Sequence, residues 1–202
     1  TTHRQVLEYI PFADHNAMID PSCEDITGRA LEALRILGLP REHPAVARAD
    51  AWLRDRQERD GAWYGRWGCN YVYGTWLAVS GLAAYAEDPA RDPAIQRGAA
   101  WLGQHQNPDG GWGESPRSYD EPELLGIGPS TAAQTAWGLL GLLAAGRGPT
   151  DAGVERAVAW LQRNQLPDGS WYDAPWTGTG FPRVFYLRYH LYGIYFPLLA
   201  LA

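Results

Sequence analysis

One sixteen-residue pattern occurs three times in this chain: RADAWLRDRQERDGAW at 48–63, RGAAWLGQHQNPDGGW at 97–112 and RAVAWLQRNQLPDGSW at 156–171. Each copy reads Arg, small residues, Trp-Leu, then Gln and Asp-Gly-x-Trp. A recurrence of this kind marks a repeat architecture, in which each supersecondary unit buries its apolar face against the next. Within a copy, Trp-Leu lies on a helical face and the Gln follows about a turn and a half later. The Gly of Asp-Gly can take the positive φ that ends a helix and turns the chain. Every copy is therefore one helix followed by one turn.

The Trp-to-Trp spacings of 49 and 59 leave room for a second helix between copies, and GTWLAVSGLAAYAE (74–87) and STAAQTAWGLLGLLAAG (130–146) fill it. These segments are apolar nearly all round, as buried helices are. The repeat helices HPAVARADAWLRDRQ and DAGVERAVAWLQRNQ instead start at Asp or near Pro and carry charge on one face, which suits an outer, solvated layer. With ITGRALEALRILG (26–38) opening the series and LYGIYFPLLALA (191–202) closing it, the sequence predicts about seven helices in inner and outer alternation. That is an all-α chain, an α/α toroid, with little support for strands. Seven helices make a partial barrel, a little over half of the roughly twelve that six pairs would need.

Composition narrows the function. Seventeen basic against twenty-three acidic residues give a net charge of −6 with no basic run, the wrong sign for nucleic acid. Cys23 and Cys69 have neither zinc-like spacing nor the density of a disulfide scaffold, so they read as reduced thiols with no metal. Ten Trp, eleven Tyr and four Phe are more flat, polarisable faces than packing requires. The N-terminus has no apolar signal core, and the longest apolar run, IYFPLLALA, is too short to span a bilayer. The chain also opens without Met inside a polar stretch, and reads as a segment of a longer protein.

At these residues a family resemblance appears. The Gln-x-x-Asp-Gly-x-Trp copies resemble the QW motifs of triterpene cyclases. GRWGCNYVYGTW (65–76) and GTGFPRVFYLRYHLYGIYFPLLALA (178–202) resemble the C-terminal third of bacterial squalene-hopene cyclases, the latter ending being the more specific. The resemblance implies that residues 1–202 are the C-terminal part of one α/α-barrel cyclase domain. It gives the motif pairs Gln57 and Trp63, Gln106 and Trp112, and Gln165 and Trp171 a structural role. The Gln bonds backbone at the ends of neighbouring helices and the Trp stacks on it, tying the outer layer together during a very exothermic cyclisation. His105, inside one copy, is then a turn residue.

Cyclising squalene to hopene or hopanol requires protonating an unactivated alkene and keeping each carbocation from water until proton loss or water capture. The acid in such cyclases is an Asp-x-Asp-Asp run. It is absent here; Asp20, Asp25, Asp50 and Asp55 stand too far apart to form it, so it is expected upstream, and the segment alone is expected to be inactive. What the chain does contain is an aromatic set. Phe181, Phe185, Tyr189 and Tyr192 are spaced four, four and three apart, the face of a helix. Such spacing alone also fits an ordinary core stripe. By resemblance, Phe181 and Phe185 face the later cations while Tyr189 and Tyr192 support them, with Tyr186 and Tyr192 touching substrate. Trp67 flanks the substrate and Tyr73 joins the network near the acid, although a Gly-rich aromatic loop is by itself usually a packed turn. Phe12 lies at the entrance channel. Arg29 occupies a position where some relatives carry a His beside the catalytic Asp. A guanidinium can hold the carboxylate through two bonds but cannot shuttle a proton; a plain salt-bridging role is equally open.

No cofactor is implied. The resemblance implies squalene as the substrate, reached by peripheral, monotopic attachment to the cytoplasmic face of a bacterial inner membrane, and is compatible with a homodimer. Two other readings stay open: a non-catalytic lipid-binding or interaction module on the same toroid, and a class II diterpene cyclase segment. A zinc-dependent prenyltransferase subunit would need metal-ligand partners that Cys69 lacks.

Overall fold

The computed structural model describes residues 21–202, which form seven α-helices and one short hairpin. The helices are α1 (Glu24–Ile36), α2 (Pro44–Asp55), α3 (Tyr71–Ala83), α4 (Pro93–Gln104), α5 (Ala132–Ala144), α6 (Ala152–Asn164) and α7 (Tyr192–Leu201). Neighbouring α1, α3, α5 and α7 line up as the inner layer, and α2, α4 and α6 pack over them. The expected alternation of inner and outer helices is what forms.

Local chemistry explains each layer. The outer helices start at side-chain caps: Asp92 accepts from the Ala94 and Ile95 amides, Asp151 from Gly153 and Val154, and His43 from Ala45. Pro93 and Pro44 sit at helix starts where their missing N–H costs nothing. One stripe of each outer helix is buried, such as Ile95, Trp101 and Leu102 on α4. The inner helices α3 and α5 are buried on nearly every face. Small residues let them close up: a Cβ on Gly81 of α3 would stand 2.6 Å from the Gly28 Cα of α1.

The Gln, Arg and Trp of the repeat bond within their own copy or to a neighbouring one. The Gln57 Nε2 donates to its own turn at Gly61 O (2.8 Å) and to Ala94 O at the start of α4 (2.9 Å). Gln106 does the same to Gly110 O (2.9 Å) and Gly153 O of α6 (2.8 Å). The Arg of the following copy then donates back, Arg97 to Gln57 and Arg156 to Gln106. The Trp on the following outer helix also reaches back, its indole N–H donating to the turn Asp: Trp101 to Asp60 and Trp160 to Asp109, both 3.0 Å. Gln165, in the last copy, bonds its own Gly169 O (3.0 Å). The motif Trp does something the resemblance did not imply. Trp63, Trp112 and Trp171 are buried and donate to the carbonyl ten residues earlier, at Leu53, Leu102 and Leu161 (2.7, 2.8 and 2.8 Å). His105 ends α4 with its ring stacked 4.0 Å from that of Trp101.

The turn glycines yield a prediction. Gly110 (φ +95°) and Gly169 (φ +85°) both occupy the left-handed region, but a Cβ on Gly110 would stand 2.6 Å from the Arg156 carbonyl oxygen whereas one on Gly169 would meet nothing within 4 Å. Gly169→Ala is expected to cost about 1–2 kcal/mol from backbone strain alone. Gly110→Ala should cost clearly more, because α6 must also shift; urea unfolding midpoints measure both.

One expectation is corrected. Residues 178–187 form not a helix but an antiparallel hairpin, β1 (Gly178–Phe181) with β2 (Phe185–Leu187), paired Gly178 with Leu187, Thr179 with Tyr186 and, past a bulge, Phe181 with Phe185. Two glycines and Pro182 disfavour a helix there, and Arg183 (φ 69°) takes the tight turn. The helix begins only at Tyr192, so Phe181, Phe185 and Tyr192 do not share a helical face.

Candidate functional site

The hairpin and the loop before α3 are sewn together. The Cys69 N–H donates to Thr177 O (2.8 Å) and the Thr179 N–H to Trp67 O (3.2 Å), with a bridge between Gly68 and Gly178. Beneath them, the Tyr119 hydroxyl lies 3.0 Å from Gly68 O and 3.2 Å from the Thr179 hydroxyl. The buried Asp25 carboxylate of α1 anchors the loop, its Oδ2 accepting the Arg66 and Trp67 amides at 2.9 and 2.7 Å.

This frame gathers rings from four separate segments. Trp67 lies 6.2 Å from Phe181, which meets Phe185 edge-on at 5.6 Å. On the other side of the Gly68–Gly178 bridge, Tyr73 meets Trp137 of α5 at 4.8 Å, Trp137 meets Tyr192 at 5.9 Å, and Tyr189 stacks on Tyr192 at 4.6 Å. Glycines make the room: a Cβ on Gly68, Gly178 or Gly180 would stand within 2.6 Å of the nearest ring atom of Tyr73, Tyr189 or Phe185 respectively. Within this segment Phe185 is 43% and Tyr189 44% exposed. Burial pushes the Tyr73 and Tyr192 phenols well above their usual range, so both present neutral rings.

Arg29, on the exposed side of α1, holds its guanidinium 4.7 Å over the Trp76 ring and pairs with Glu32 at 3.0 Å. Its charge opposes the upward shift of Tyr73, Tyr192 and Tyr195, so it borders the tyrosine half of the wall. Tyr186 stands apart. It lies on the opposite hairpin face from Phe185, stacks on Tyr119 at 5.9 Å and donates to Pro116 O. Phe12 lies outside the described residues. The Cys69 thiol is pushed up to about 12 by burial, which keeps it protonated.

Sequence reasoning missed three ring contributors, Trp76, Trp137 and Phe196, which complete the tyrosine half through contacts of 5.4 to 6.1 Å. It also missed two carboxylates, and here a signal exists. Glu114 and Asp173 each follow a motif Trp, Trp112 and Trp171, by two residues and reach back to an inner-helix N-terminus. Glu114 accepts the Asn70 and Val72 amides of α3 (3.1 and 2.9 Å), and Asp173 accepts the Ala133 amide of α5 (3.0 Å). Helix N-termini favour this charge, yet burial dominates: both carboxyls are raised, Asp173 to about 6.

That shift sets a pH dependence. A carboxyl raised in the folded state binds its proton more tightly there than when unfolded, so stability falls as pH rises from about 4 to about 6. Asp173→Asn cannot ionise, so its thermal midpoint relative to the parent should rise between about pH 4.5 and about pH 7.5.

The whole chain, residues 1–202, matches the family model described as the squalene-hopene cyclase C-terminal domain. It is 48% identical over 199 residues to a squalene-hopene cyclase of Schizosaccharomyces japonicus, covering 98% of this chain and 30% of that protein. It is 49% identical over 193 residues to the squalene-hopene cyclase of Alicyclobacillus acidocaldarius, covering 96% of this chain and again 30% of the relative. This chain thus spans about a third of the length of these relatives. Among solved structures, ent-copalyl diphosphate synthase from Streptomyces platensis superposes with a TM-score of 0.61 at 23% identity, over 90% of this chain and 33% of that one. The type II terpene cyclase MstE from Scytonema gives a TM-score of 0.56 at 24% identity, over 91% and 48%. These two likenesses establish the shared α/α fold. Among the described residues, no helix is long and apolar enough to cross a membrane.

Proposed function

The chain belongs to the squalene-hopene cyclase C-terminal domain family, and from that premise we propose that it is the C-terminal part of a cyclase converting squalene to hopene or hopanol. In this reading the Asp-x-Asp-Asp acid belongs to the N-terminal part of the same barrel, and the 202 residues alone are inactive. The acid protonates the terminal alkene, and each ring closure moves the cation along the chain. This segment's work is to face that cation with electron-rich rings and no water, until a proton is lost or water is captured.

The observation that carries the reading is the ring wall. Trp67, Phe181 and Phe185 form one run of ring contacts, and Tyr73, Trp137, Tyr192 and Tyr189 a second, with the Gly68–Gly178 bridge tying the loop of the first to the hairpin. The rings come from a loop, a hairpin and three helices rather than from one helical stripe. The burial-raised phenols suit it, because a neutral ring offers its face to a cation without neutralising it. The same reading gives the enzyme a peripheral seat on one leaflet, at the cytoplasmic face of a bacterial inner membrane, because a C30 hydrocarbon resides there.

Arg29 is the charged neighbour we assign to the acid's conjugate base. Arg29→Ala in the full-length enzyme is expected to lower turnover about tenfold or more, the scale of one lost charge-assisted bond, with little change in thermal midpoint because the side chain is exposed. Unchanged turnover removes Arg29 from the site.

The deciding experiment is to express the full-length protein in detergent, incubate it with squalene and identify products by gas chromatography and mass spectrometry. Pentacyclic products that vanish when the upstream acidic run is changed to Asn support the cyclase reading. A folded full-length protein that yields no cyclic product would move the assignment to a lipid-binding module.

A further inference from the structure

Asp173 stands where three pieces of the ring wall begin. It is half-buried, and its Oδ2 accepts the Ala133 amide in the first turn of α5 at 3.0 Å. The start of α7 runs directly against it: a Cβ on Gly193 would stand 2.9 Å from the Asp173 Cβ and 3.2 Å from the Trp171 carbonyl oxygen. The Arg188 guanidinium attracts the carboxylate and lies 5.7 Å from the centre of the Tyr172 ring. Among the described residues, neither the other carboxylate oxygen, Oδ1, nor the Arg188 Nε has a hydrogen-bond partner, so each is available to the other's charge. Arg188 immediately precedes Tyr189, and Gly193 immediately follows Tyr192.

Asp173 therefore touches both helices that carry the tyrosine half of the wall. Trp137 rides on α5 and Tyr192 on α7, 5.9 Å apart, and Tyr189 stacks on Tyr192 at 4.6 Å. We propose that Asp173 is a positioning residue: it fixes the N-terminus of α5 against that of α7 and, through Arg188, the approach of Tyr189, and so sets where Tyr189 and Tyr192 stand against the cation. The inference rests on the cyclase reading. A carboxylate that only stabilised the fold would change how much enzyme is present. One that positions the rings changes where the cyclisation stops, because a misplaced ring lets a cation lose its proton early.

The test uses the full-length enzyme with squalene and reads the ratio of partly to fully cyclised products by gas chromatography and mass spectrometry. Asp173→Ala should raise that ratio at least about threefold, the scale of one weakened ring contact. Asp173→Asn can still accept the Ala133 amide but loses the charge that attracts Arg188, so it should fold and give a smaller rise in the same direction; it decides the matter if Asp173→Ala is insoluble. A ratio unmoved in the folded variants, whatever the total yield, overturns the positioning role while leaving the cyclase reading intact. A parent enzyme that makes no cyclic product overturns both.

Discussion

Trp112→Ala is expected to lower the thermal midpoint by about 6–20 °C. The ring is fully buried, and Gly138 of α5 lies so close that a Cβ there would stand within 2.7 Å of the indole. Deleting it opens a cavity between the layers at a cost of about 3–5 kcal/mol, against a total stability of about 5–15 kcal/mol. For a chain of this size each kcal/mol is worth about 2–4 °C. The loss is also structural in kind. The Trp112 indole holds Leu102 O at 2.8 Å, its amide takes the Thr135 hydroxyl at 3.0 Å, and its carbonyl accepts the Thr131 amide at 2.9 Å. One residue thus joins outer α4 to inner α5. Two comparisons isolate the terms. Trp112→Phe keeps most of the ring but removes the indole bond to the Leu102 carbonyl, leaving that oxygen the 3.2 Å bond from the His105 amide, and should cost about 1 kcal/mol. Trp176→Ala removes a Trp that is 56% exposed, and should fall within about 0.5 kcal/mol of the parent. A Trp112→Ala loss as small as that of Trp176→Ala would mean the motif Trp does not join the layers.

The layers were legible because each repeat writes its whole unit locally: cap, amphipathic helix, turn glycine. Even the reason for the Arg and the helix Trp was latent in the pattern, since Arg97 and Trp101 serve Gln57 and Asp60 of the copy before. The hairpin was misread because spacings of four between residues 181, 185 and 189 mimic a helical face, while the stronger local fact, glycines at 178 and 180 with Pro182, argues against one. Here the glycines serve the rings laid over them rather than a helix. The wall itself could not be assembled from the sequence alone. It joins residues 67, 73, 137, 181, 189 and 192, and only the layer packing brings α5 and α7 together beneath the hairpin. The carboxylate two residues after a motif Trp was visible twice, but the first copy has Gly65 there. In that unit Asp25 on the helix reaches the loop amides instead, which hid the pattern.

Replacing Phe181 and Phe185 together by Ala should reduce formation of fully cyclised product by about tenfold to a few hundredfold. The estimate follows from about 0.5–2 kcal/mol per ring facing a desolvated cation, with about 1.4 kcal/mol per factor of ten in rate. Stability should change little, because Phe185 is 43% exposed and Phe181 sits at the hairpin's end rather than in the core. The control that separates electrostatics from packing is the pair Phe→Leu and Phe→Tyr at the same positions. Leu keeps apolar bulk and excludes water but offers no negative ring face; Tyr keeps the face. If the rings act on the cation, Tyr retains most of the rate and Leu resembles Ala, with partly cyclised products accumulating in both. If Leu restores the rate, Phe181 and Phe185 serve only to shape the cavity. The stabilising work would then rest on Trp67 and on the tyrosine half across the Gly68–Gly178 bridge, whose rings are held by α5 and α7 independently of the hairpin tip.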